Sequence, residues 1–366
     1  MTGRHAPRSK VPFAAVVLLL LVFVGGGAWA AWTVAADGGV GGSSTHSGVA
    51  AKNAAVDGST AGTTGTPTPT ADPTSSPDPS AEHRRKIVIH GTGDVSLDPA
   101  YIPAFRTNGY GWAWSGLDGL FRTDDLTVIN HECPSTDIVA PLAKTFVFRC
   151  DPDALDDARE AGVEVASLAN NHGFDQGPEA LLDSVRNMRR ADIVPIGAGA
   201  SEEAADAPAY VDVGGWRIGL VAVGEVIDPD SQVADGDEIG TAVGHEFSRA
   251  VRAIREAEER ADLVIVVIHW GVELDTQPRE YQVDEAHRMI EAGADVIFGH
   301  HAHRLQPMDT YRGRPIFYGL GNFVWPSFSV EGSTTAVARV VVRPNGSITG
   351  ELLPAYIVSD GHPVLR

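Results

Sequence analysis

Clusters of carboxylate, amide and imidazole side chains follow five short apolar runs of the sequence. Each run has the length and composition of a buried β-strand, so each cluster falls at the carboxyl end of a predicted strand. In α/β sheets these ends form the edge at which ligands bind, and residues far apart in sequence converge there. The clusters are Gly93-Asp94, Asn130-His131-Glu132, Asn170-Asn171-His172, His269-Trp270-Gly271 and Gly299-His300-His301-Ala302-His303.

This mixture of side chains indicates a site for divalent metal ions. Carboxylate, amide oxygen and imidazole together suit Mn, Zn or Fe, whereas calcium takes oxygen ligands alone. His301 and His303 are the most specific signal, because an extended chain turns both imidazoles to one side. Singly, the other residues also have structural interpretations: an Asp after a strand can cap a helix, and His269 can be a hydrogen-bonded core histidine.

Strand-like and helix-like segments alternate from Lys86 onward, which predicts one large α/β domain over residues 86–366. Helical apolar spacing occurs in PDALDDAREAG, GPEALLDSVRNMRRA, EFSRAVRAIREAEERA and PREYQVDEAHRMIEAG. The last apolar segments follow one another with no helical segment between them, so the sheet system turns antiparallel late. These segments are RPIFYGLGNFVW, TTAVARVVVRP and SITGELLPAYIV.

The N-terminal region has the pattern of a targeting segment. Residues 1–10 are basic and residues 11–36 are uncharged, with the apolar core VPFAAVVLLLLVFV. This pattern predicts a single transmembrane anchor whose N-terminus is cytoplasmic, which places the remainder on the extracytoplasmic side of the cell membrane. Ala28-Trp29-Ala30 also fits a signal-peptidase site, and cleavage near Ala30 would instead secrete the protein.

Residues 37–85 are rich in Gly, Ser, Thr and Pro and contain no aromatic residue, which predicts a disordered linker. The negative charge lies beyond this linker. Residues 86–366 contain 22 of the 28 basic residues and 43 of the 48 acidic residues. A domain this anionic makes nucleic acid an improbable partner, because phosphate binding needs clustered Lys and Arg.

Cys133 and Cys150 are the only two cysteines of the chain. Both lie in the predicted extracytoplasmic part, where paired thiols oxidise if their geometry permits. We therefore expect a Cys133–Cys150 disulfide, with two free structural cysteines as the alternative.

Six sequence motifs together resemble a known family. GDVSLD, INHECPSTD, SLANNHGFDQG, VIHWGVE, GHHAHRLQP and FYGLGNF occur here in this order. The set resembles the CapA-type poly-γ-glutamate capsule synthesis proteins, a branch of the calcineurin-like metallophosphoesterase superfamily. The resemblance covers nearly all of residues 86–366. It implies an α/β fold in which two stacked mixed β-sheets are flanked by helices, with metals at the strand ends.

The resemblance also implies roles for individual residues. The implied metal ligands are Asp94, Glu132, Asn171, His269, His301 and His303. His172 resembles the residue that protonates a leaving group or contacts the substrate oxyanion. Asp175 could orient that imidazole, or it could cap the helix that begins near Pro178. Glu273, Gln306 and Asn322 are implied to line the substrate cleft, although Asn322 could also be a turn residue.

One motif departs from the superfamily pattern. The first superfamily motif is Asp-x-His, but here Asp94 is followed by Ser96, which leaves one metal position a ligand short. The CapA-type branch generally lacks this histidine too. The sequence therefore predicts one or two bound ions, and His90 cannot be assumed to replace the absent ligand.

The combined features predict a membrane-anchored extracytoplasmic protein of poly-γ-glutamate or related capsule polymer synthesis or export, with a metal-dependent hydrolase-type site. Its partners would be the anionic envelope polymer, capsule assembly proteins and the membrane. Because domain and polymer are both anionic, bound cations together with Lys144 and Arg149 would have to reverse the field in the cleft. The alternatives are a secreted metal-dependent phosphoesterase and a non-catalytic scaffold of a capsule assembly machine.

Overall fold

The structure is a computed structural model that describes residues 83–226, 233–244 and 247–366. The basic segment 1–10, the anchor or signal peptide 11–36 and nearly all of the linker 37–85 lie outside the described residues. Within the described part, no helix has the length and apolar character needed to cross a bilayer.

The predicted strand segments form strands because their side chains are buried on both faces; Leu263–His269, for example, is buried along its whole length. The described strands are β1 (Ile87–Val95), β2 (Leu126–His131), β3 (Val165–Ser167), β4 (Val194–Ile196), β5 (Ala198–Gly199), β6 (Ala209–Val213), β7 (Trp216–Gly224), β8 (Gly240–Thr241), β9 (Leu263–His269), β10 (Val296–His300), β11 (Met308–Tyr311), β12 (Arg314–Phe317), β13 (Asn322–Val324), β14 (Thr334–Val342), β15 (Ile348–Ser359) and β16 (His362–Leu365).

These strands build two large sheets and one small one. The first sheet has eight strands in the order β16-β15-β14-β1-β2-β3-β4, with β13 also paired to β1. Strands β1 to β4 are parallel, whereas β14, β15 and β16 are antiparallel to their neighbours. The prediction that the sheet system turns antiparallel late is therefore confirmed. The second sheet has the order β11-β12-β10-β9-β7-β6, and β5 pairs with β8 alone.

The described residues also form seven α-helices. They are α1 (Phe105–Asn108), α2 (Ala154–Ala161), α3 (Gly177–Arg190), α4 (Glu202–Asp206), α5 (Phe247–Glu258), α6 (Glu280–Ala292) and α7 (Val330–Ser333), and two 3-10 helices occupy Tyr110–Leu117 and Leu120–Arg122. Apolar residues of α2 and α3 pack on the first sheet, and those of α5 and α6 pack on the second.

A third apolar cluster joins the inner faces of the two sheets. It combines Ile87, Ile89 and Leu126 of the first sheet with Ile218 and Ile265 of the second. The described chain is thus a mixed α/β fold, as the alternation of segments predicts, and its two large sheets face each other and are flanked by helices, as the resemblance implies.

Strand register brings the carboxyl ends of several strands to one edge. In the first sheet Asp94 pairs with Asn130 on β2 and with Asn322 on β13. In the second sheet His269 pairs with His300 on β10. The turn before β13 closes over Gly93, where an added Cβ would collide with the carbonyl oxygen of Gly321. Glycine at position 93 is therefore what lets this turn approach Asp94.

Cys133 and Cys150 are joined by a disulfide, with their Cα atoms 5.8 Å apart. The bridge closes the loop between β2 and α2. We refer to residues 134–149 as the bridged loop, because its two ends are held together by this bond.

Candidate metal centre

Two carboxylates and an imidazole meet where the two sheets come together. Asp94 lies near the end of β1, Glu132 follows β2 and His269 ends β9. One ligand atom from each lies within 4.8 Å of the other two, and all three side chains are buried. Three residues that lie at or directly after the ends of three different strands therefore form one compact cluster.

The other predicted ligands contact this cluster directly. Asn171 Oδ1 lies 2.8 Å from His269 Nε2, and His301 Nδ1 lies 3.2 Å from the same nitrogen. His303 Nδ1 lies 3.1 Å from Asp94 Oδ2. All six predicted ligands are thus brought together, although they come from five separate segments of the chain.

His301 and His303 reach the cluster by an unexpected backbone path. Their φ angles are 88° and 51°, so both residues have positive φ and the segment is not extended. The extended backbone that the sequence suggests for this segment is therefore wrong. Two non-glycine residues in this region cost about 1 kcal/mol or more each, and such strain is concentrated at functional sites. The two rings nevertheless converge, with centroids 6.0 Å apart.

The buried carboxylate oxygens of the cluster are suited to bind a divalent ion. Glu132 is fully buried, and its Oε1 has no hydrogen-bond partner among the described residues. Two imidazole nitrogens approach this oxygen, His269 Nε2 at 3.7 Å and His303 Nε2 at 3.9 Å. A buried carboxylate oxygen without a partner is costly, and a bound cation removes that cost. Carboxylate, amide and imidazole donors are also the set that Mn, Zn and Fe accept.

Burial shapes the protonation of the cluster. It holds the pKa of His269 well below its usual value, with repulsion from His301 as the next cause. Neutral imidazole is the form that binds a metal. Burial and the adjacent charge of Asp94 raise the pKa of Glu132 well above its usual value. Asp94 itself has a lowered pKa, because burial, which raises it, is outweighed by the hydrogen bond and charge of His303.

Asn130, in the second cluster, contacts a predicted ligand, although the sequence assigned it no role. Its Nδ2 donates to Asp94 Oδ1 at 2.9 Å, and its Oδ1 accepts from Asn170 Nδ2 at 3.0 Å. The amide thus holds the Asp94 carboxylate and links it to the loop that presents Asn171. The sequence signal for this contact is a polar residue at the end of the apolar strand that neighbours the strand of Asp94.

His172 stands beside the cluster with its ring fixed by Asp175. Nδ1 of His172 lies 2.8 Å from Asp175 Oδ2, so exchange of a proton with a ligand falls to Nε2. The same carboxylate accepts from the backbone N of Phe148 at 2.6 Å. Burial lowers the pKa of His172, and the bond to Asp175 offsets part of that effect.

The alternative in which Asp175 caps α3 is wrong. Gln176 is the N-cap residue of α3, and it makes no side-chain capping bond. Asp175 is instead fully buried, and its Oδ1 pairs with Lys144 Nζ at 2.7 Å. Lys144 Nζ also donates to the carbonyl oxygen of Asn171 at 2.6 Å. Lys144 therefore holds the segment that carries a metal ligand and His172, and this contact corrects its expected role as a cation facing polymer in the cleft.

Arg149 does not take that role either. Its guanidinium donates to the carbonyl oxygen of Thr136 at 3.0 Å, and its backbone N donates to Asp98. Arg149 is also not part of the cleft lining.

A cleft of about 380 Å³ opens beside His172 and His303. Glu273 and Asn322 line it, as the resemblance implies. Asn322 Oδ1 lies 2.8 Å from His303 Nδ1, and its Nδ2 donates to the carbonyl oxygen of Gly332. Gln306 does not line the cleft: it is buried, and its amide donates to the carbonyl oxygens of Asp275 and Gln277. Gln306 therefore positions the loop that follows Glu273.

Five aromatic side chains line the same cleft, and none was singled out from the sequence. We call them the aromatic wall: Tyr101, Phe146, Phe148, Trp325 and Phe328. They come from three separate segments, two of which are loops with no strand-like pattern, so only the tertiary fold brings them together.

Several polar residues near the motifs have structural partners instead. His90 pairs with Asp124, with Nδ1 2.7 Å from Oδ2, and does not replace the histidine missing after Asp94. His300 Nε2 lies 2.9 Å from the carbonyl oxygen of Thr92. His131 Nε2 lies 2.8 Å from Ser135 Oγ and 3.7 Å from Cys133 Sγ. His131, Cys133 and Cys150 are close enough to hold a metal, but sulfurs in a disulfide offer no thiolate ligand.

Some solved structures of low sequence identity are similar to part of this chain. A hypothetical protein from Thermus thermophilus is 16% identical with a TM-score of 0.47, covering 73% of this chain and 99% of that one. The NAD nucleotidase NadN from Haemophilus influenzae is 13% identical with a TM-score of 0.46, covering 74% and 50%. Both TM-scores lie below 0.5, so neither likeness bears on function.

Curated relatives and a family profile give the closer relation. The capsule biosynthesis protein CapA of Bacillus anthracis is 32% identical over 209 residues, which are 56% of this chain and half of that protein. The PGA biosynthesis protein CapA of Bacillus subtilis is 29% identical over 268 residues, or 72% of this chain and 70% of that protein. The model of the family described as "Bacterial capsule synthesis protein PGA_cap" matches residues 88–327. Because this match includes both carboxylates, all the imidazoles of the cluster and more than half of the chain, the protein belongs to the PGA_cap family of bacterial capsule synthesis proteins.

Proposed function

We propose that this chain is an extracytoplasmic accessory protein of poly-γ-glutamate capsule synthesis that acts through a metal-dependent hydrolase-type site. The single observation that supports hydrolysis most is the position of His172. Its imidazole, held by Asp175, lines the cleft together with His303 of the metal cluster. A structural metal site would not need an oriented proton-transfer group beside it.

Asp94, Glu132, Asn171, His269, His301 and His303 would hold the ion or ions. A divalent ion bound there supplies Lewis-acid polarisation of the bond under attack and an activated water. Hydrolysis also requires that a proton reach the leaving group. His172, as the imidazolium, would deliver that proton from Nε2 and become neutral, while Asp175 stabilises the imidazolium before the transfer and holds the proton that stays on Nδ1.

The link to the capsule polymer comes from the relatives. Two of them are described as CapA proteins of capsule or PGA biosynthesis. The basic segment and apolar stretch at the N-terminus support an anchor that holds the domain outside the cell membrane near the exported polymer. Capsule assembly proteins in the same membrane would be its partners.

The test is hydrolysis by the purified full-length chain loaded with Mn²⁺ or Zn²⁺. Bis-p-nitrophenyl phosphate reports phosphoester cleavage, and the chain length of poly-γ-glutamate reports polymer cleavage. His172→Ala should lower turnover by about 100-fold or more while metal content stays unchanged. His287→Ala is the matched control, because His287 stacks on Tyr311 at the surface of α6.

The proposal fails if neither substrate is cleaved in a metal-dependent way, or if His172→Ala turns over at the rate of the His287→Ala control. Retained function in cells producing His172→Ala would then indicate the non-catalytic scaffold.

A further inference from the structure

The mouth of the cleft exposes aromatic rings to solvent. Within the aromatic wall, Phe328 is 73% exposed and Phe146 is 59% exposed. Large apolar side chains grouped at a concave site mark a surface that binds an apolar part of a ligand. The two rings stand at the entrance, where a ligand would cover them.

The aromatic wall is continuous with the imidazoles that face the cleft. Phe148 lies 4.2 Å from the His172 ring and 4.6 Å from the Tyr101 ring, measured between centroids. Trp325 lies 4.9 Å from the His303 ring in the same way. A ligand whose reacting group reaches these imidazoles must therefore lay the adjoining part of its structure on aromatic surface.

Charge in the cleft does not favour a polyanion. Among the described residues that line it, Arg304 is the one Lys or Arg, and its guanidinium already donates to the carbonyl oxygen of His303 at 2.7 Å. Glu273 places a carboxylate in the same lining. Lys144 is held by Asp175 and is not part of the lining. A run of carboxylates in this cleft would lose hydration without gaining enough cationic partners.

We propose that the cleft takes a ligand with a single oxyanion at the metal centre and an apolar ring directly beside it, and that it does not take the interior of a polyanionic chain. This inference rests on the proposed function, because it names the class of ester on which the hydrolase-type site acts. The oxyanion is directed to the cations of the metal centre and the ring to the aromatic wall.

The test compares two ligands that carry the same oxyanion and differ only in the ring. Phenylphosphonate and methylphosphonate are titrated calorimetrically into the metal-loaded full-length chain, with penta-γ-glutamate as the polyanionic probe. Contact between the phenyl ring and the aromatic wall should make phenylphosphonate bind roughly tenfold tighter than methylphosphonate. Penta-γ-glutamate should bind no tighter than methylphosphonate.

Variants locate the effect. The exposed rings can be removed without opening the core, so a Phe146→Ala/Phe328→Ala double variant should fold and should reduce the preference for the phenyl ring to less than about threefold. Val358→Ala is the control, because Val358 is an exposed apolar residue on β15 outside the cleft lining. That variant should keep the full preference.

Equal binding of the two phosphonates, tighter binding of penta-γ-glutamate, or a ring preference that survives in the double variant would overturn the inference. Phosphonates are not hydrolysed, so binding is measured independently of turnover. If the protein prefers the phenyl ring but cleaves no ester, the proposed binding of the ring is supported and the proposed hydrolysis is contradicted. If turnover depends on His172 but the two phosphonates bind equally, the proposed hydrolysis is supported and the proposed binding of the ring is contradicted.

Discussion

The Asp175 carboxylate fixes the group proposed to transfer the proton. It contacts His172 Nδ1, the backbone N of Phe148 and Lys144 Nζ while being completely buried. This one carboxylate therefore contacts three groups, which belong to two segments of the chain. Replacement at this position tests orientation of the imidazole separately from metal binding.

Asp175→Asn should lower kcat by about 10- to 100-fold while the metal content stays at the wild-type level. The amide still fills the space, but it cannot stabilise the imidazolium and leaves Lys144 without its carboxylate. Steady-state kinetics and elemental analysis on the same preparation give both quantities. Asp192→Asn is the control, since the Asp192 side chain is 90% exposed. Unchanged kcat in Asp175→Asn would show that the His172–Asp175 contact is structural only.

At the residue scale, the sequence predicts side chains that follow buried strands and misses those that arrive on loops. Asp94 and His269 stand at the ends of apolar strands, so their convergence follows from the alternation of strands and helices. The positive φ at His301 could not be predicted, because it depends on the turn that the neighbouring strands impose. Gln306 stands in a family motif, yet its burial beneath a loop depends on tertiary contacts that a motif does not specify.

Among the elements, the bridged loop supplies one side of the cleft. It carries Lys144, which binds Asp175, and Phe146 and Phe148 of the aromatic wall. The disulfide between Cys133 and Cys150 holds the two ends of this loop together. Part of the cleft therefore depends on a bond that forms only in an oxidising compartment.

Reduction of this disulfide should lower the free energy of unfolding by about 3 kcal/mol, because the bond restricts the conformational entropy of the unfolded chain by that amount for a closed loop of this length. Denaturant titrations with and without dithiothreitol measure the difference. A Cys133→Ala/Cys150→Ala variant should show the lower stability in both buffers. Equal stability of oxidised and reduced wild-type protein would contradict the prediction.

The contact between β7 and α6 contains a pair of carboxyl groups. Glu225 follows β7 and Glu285 lies on α6. Burial, followed by the hydrogen bond and charge of Glu285, raises the pKa of Glu225 to about 9. The unfolded chain releases this proton near pH 4.5, whereas the folded chain retains it until about pH 9. The contribution of Glu225 to the free energy of unfolding is therefore fully present below its pKa in the unfolded chain. It is lost as the pH rises from there through its pKa in the folded chain.

Glu225→Gln should remove this loss, because the amide keeps a hydrogen bond to Glu285 without a titrating proton. Its stability relative to the wild type should rise by about 1 kcal/mol per pH unit between about pH 5 and pH 8. Chemical denaturation in EDTA measures this without metal binding. The exposed Glu238→Gln variant is the control. A difference from the wild type that does not change with pH would exclude the raised pKa of Glu225.

The fold at the scale of elements is largely predictable because local signals agree with the tertiary structure. Buried apolar runs become β1, β7 and β9, and amphipathic segments become α3 and α5. The short helices near Tyr110 and the pairing of β13 with β1 carry no comparable periodicity. They form because tertiary contacts decide the conformation of short segments.

In the molecule as a whole, two facing sheets direct their strand ends to one buried cluster. The first sheet contributes Asp94 and the second contributes His269, so the site exists only when both sheets are assembled. The excess of acidic residues in this domain favours solubility, and under the proposed function a bound cation is the group that would attract an oxyanion. The proposed function therefore depends on a metal at this junction.

The most direct test is the metal content of the purified full-length chain, compared with a His301→Ala/His303→Ala double variant. Elemental analysis should find one or two divalent transition-metal ions per wild-type chain, and the variant should lose them while keeping its circular dichroism spectrum. A His287→Ala/His362→Ala variant, whose imidazoles stack on Tyr311 and Trp112, should keep its metal. An equal metal content in the wild type and the His301→Ala/His303→Ala variant, or no metal in either, would contradict a metal centre at the junction of the sheets.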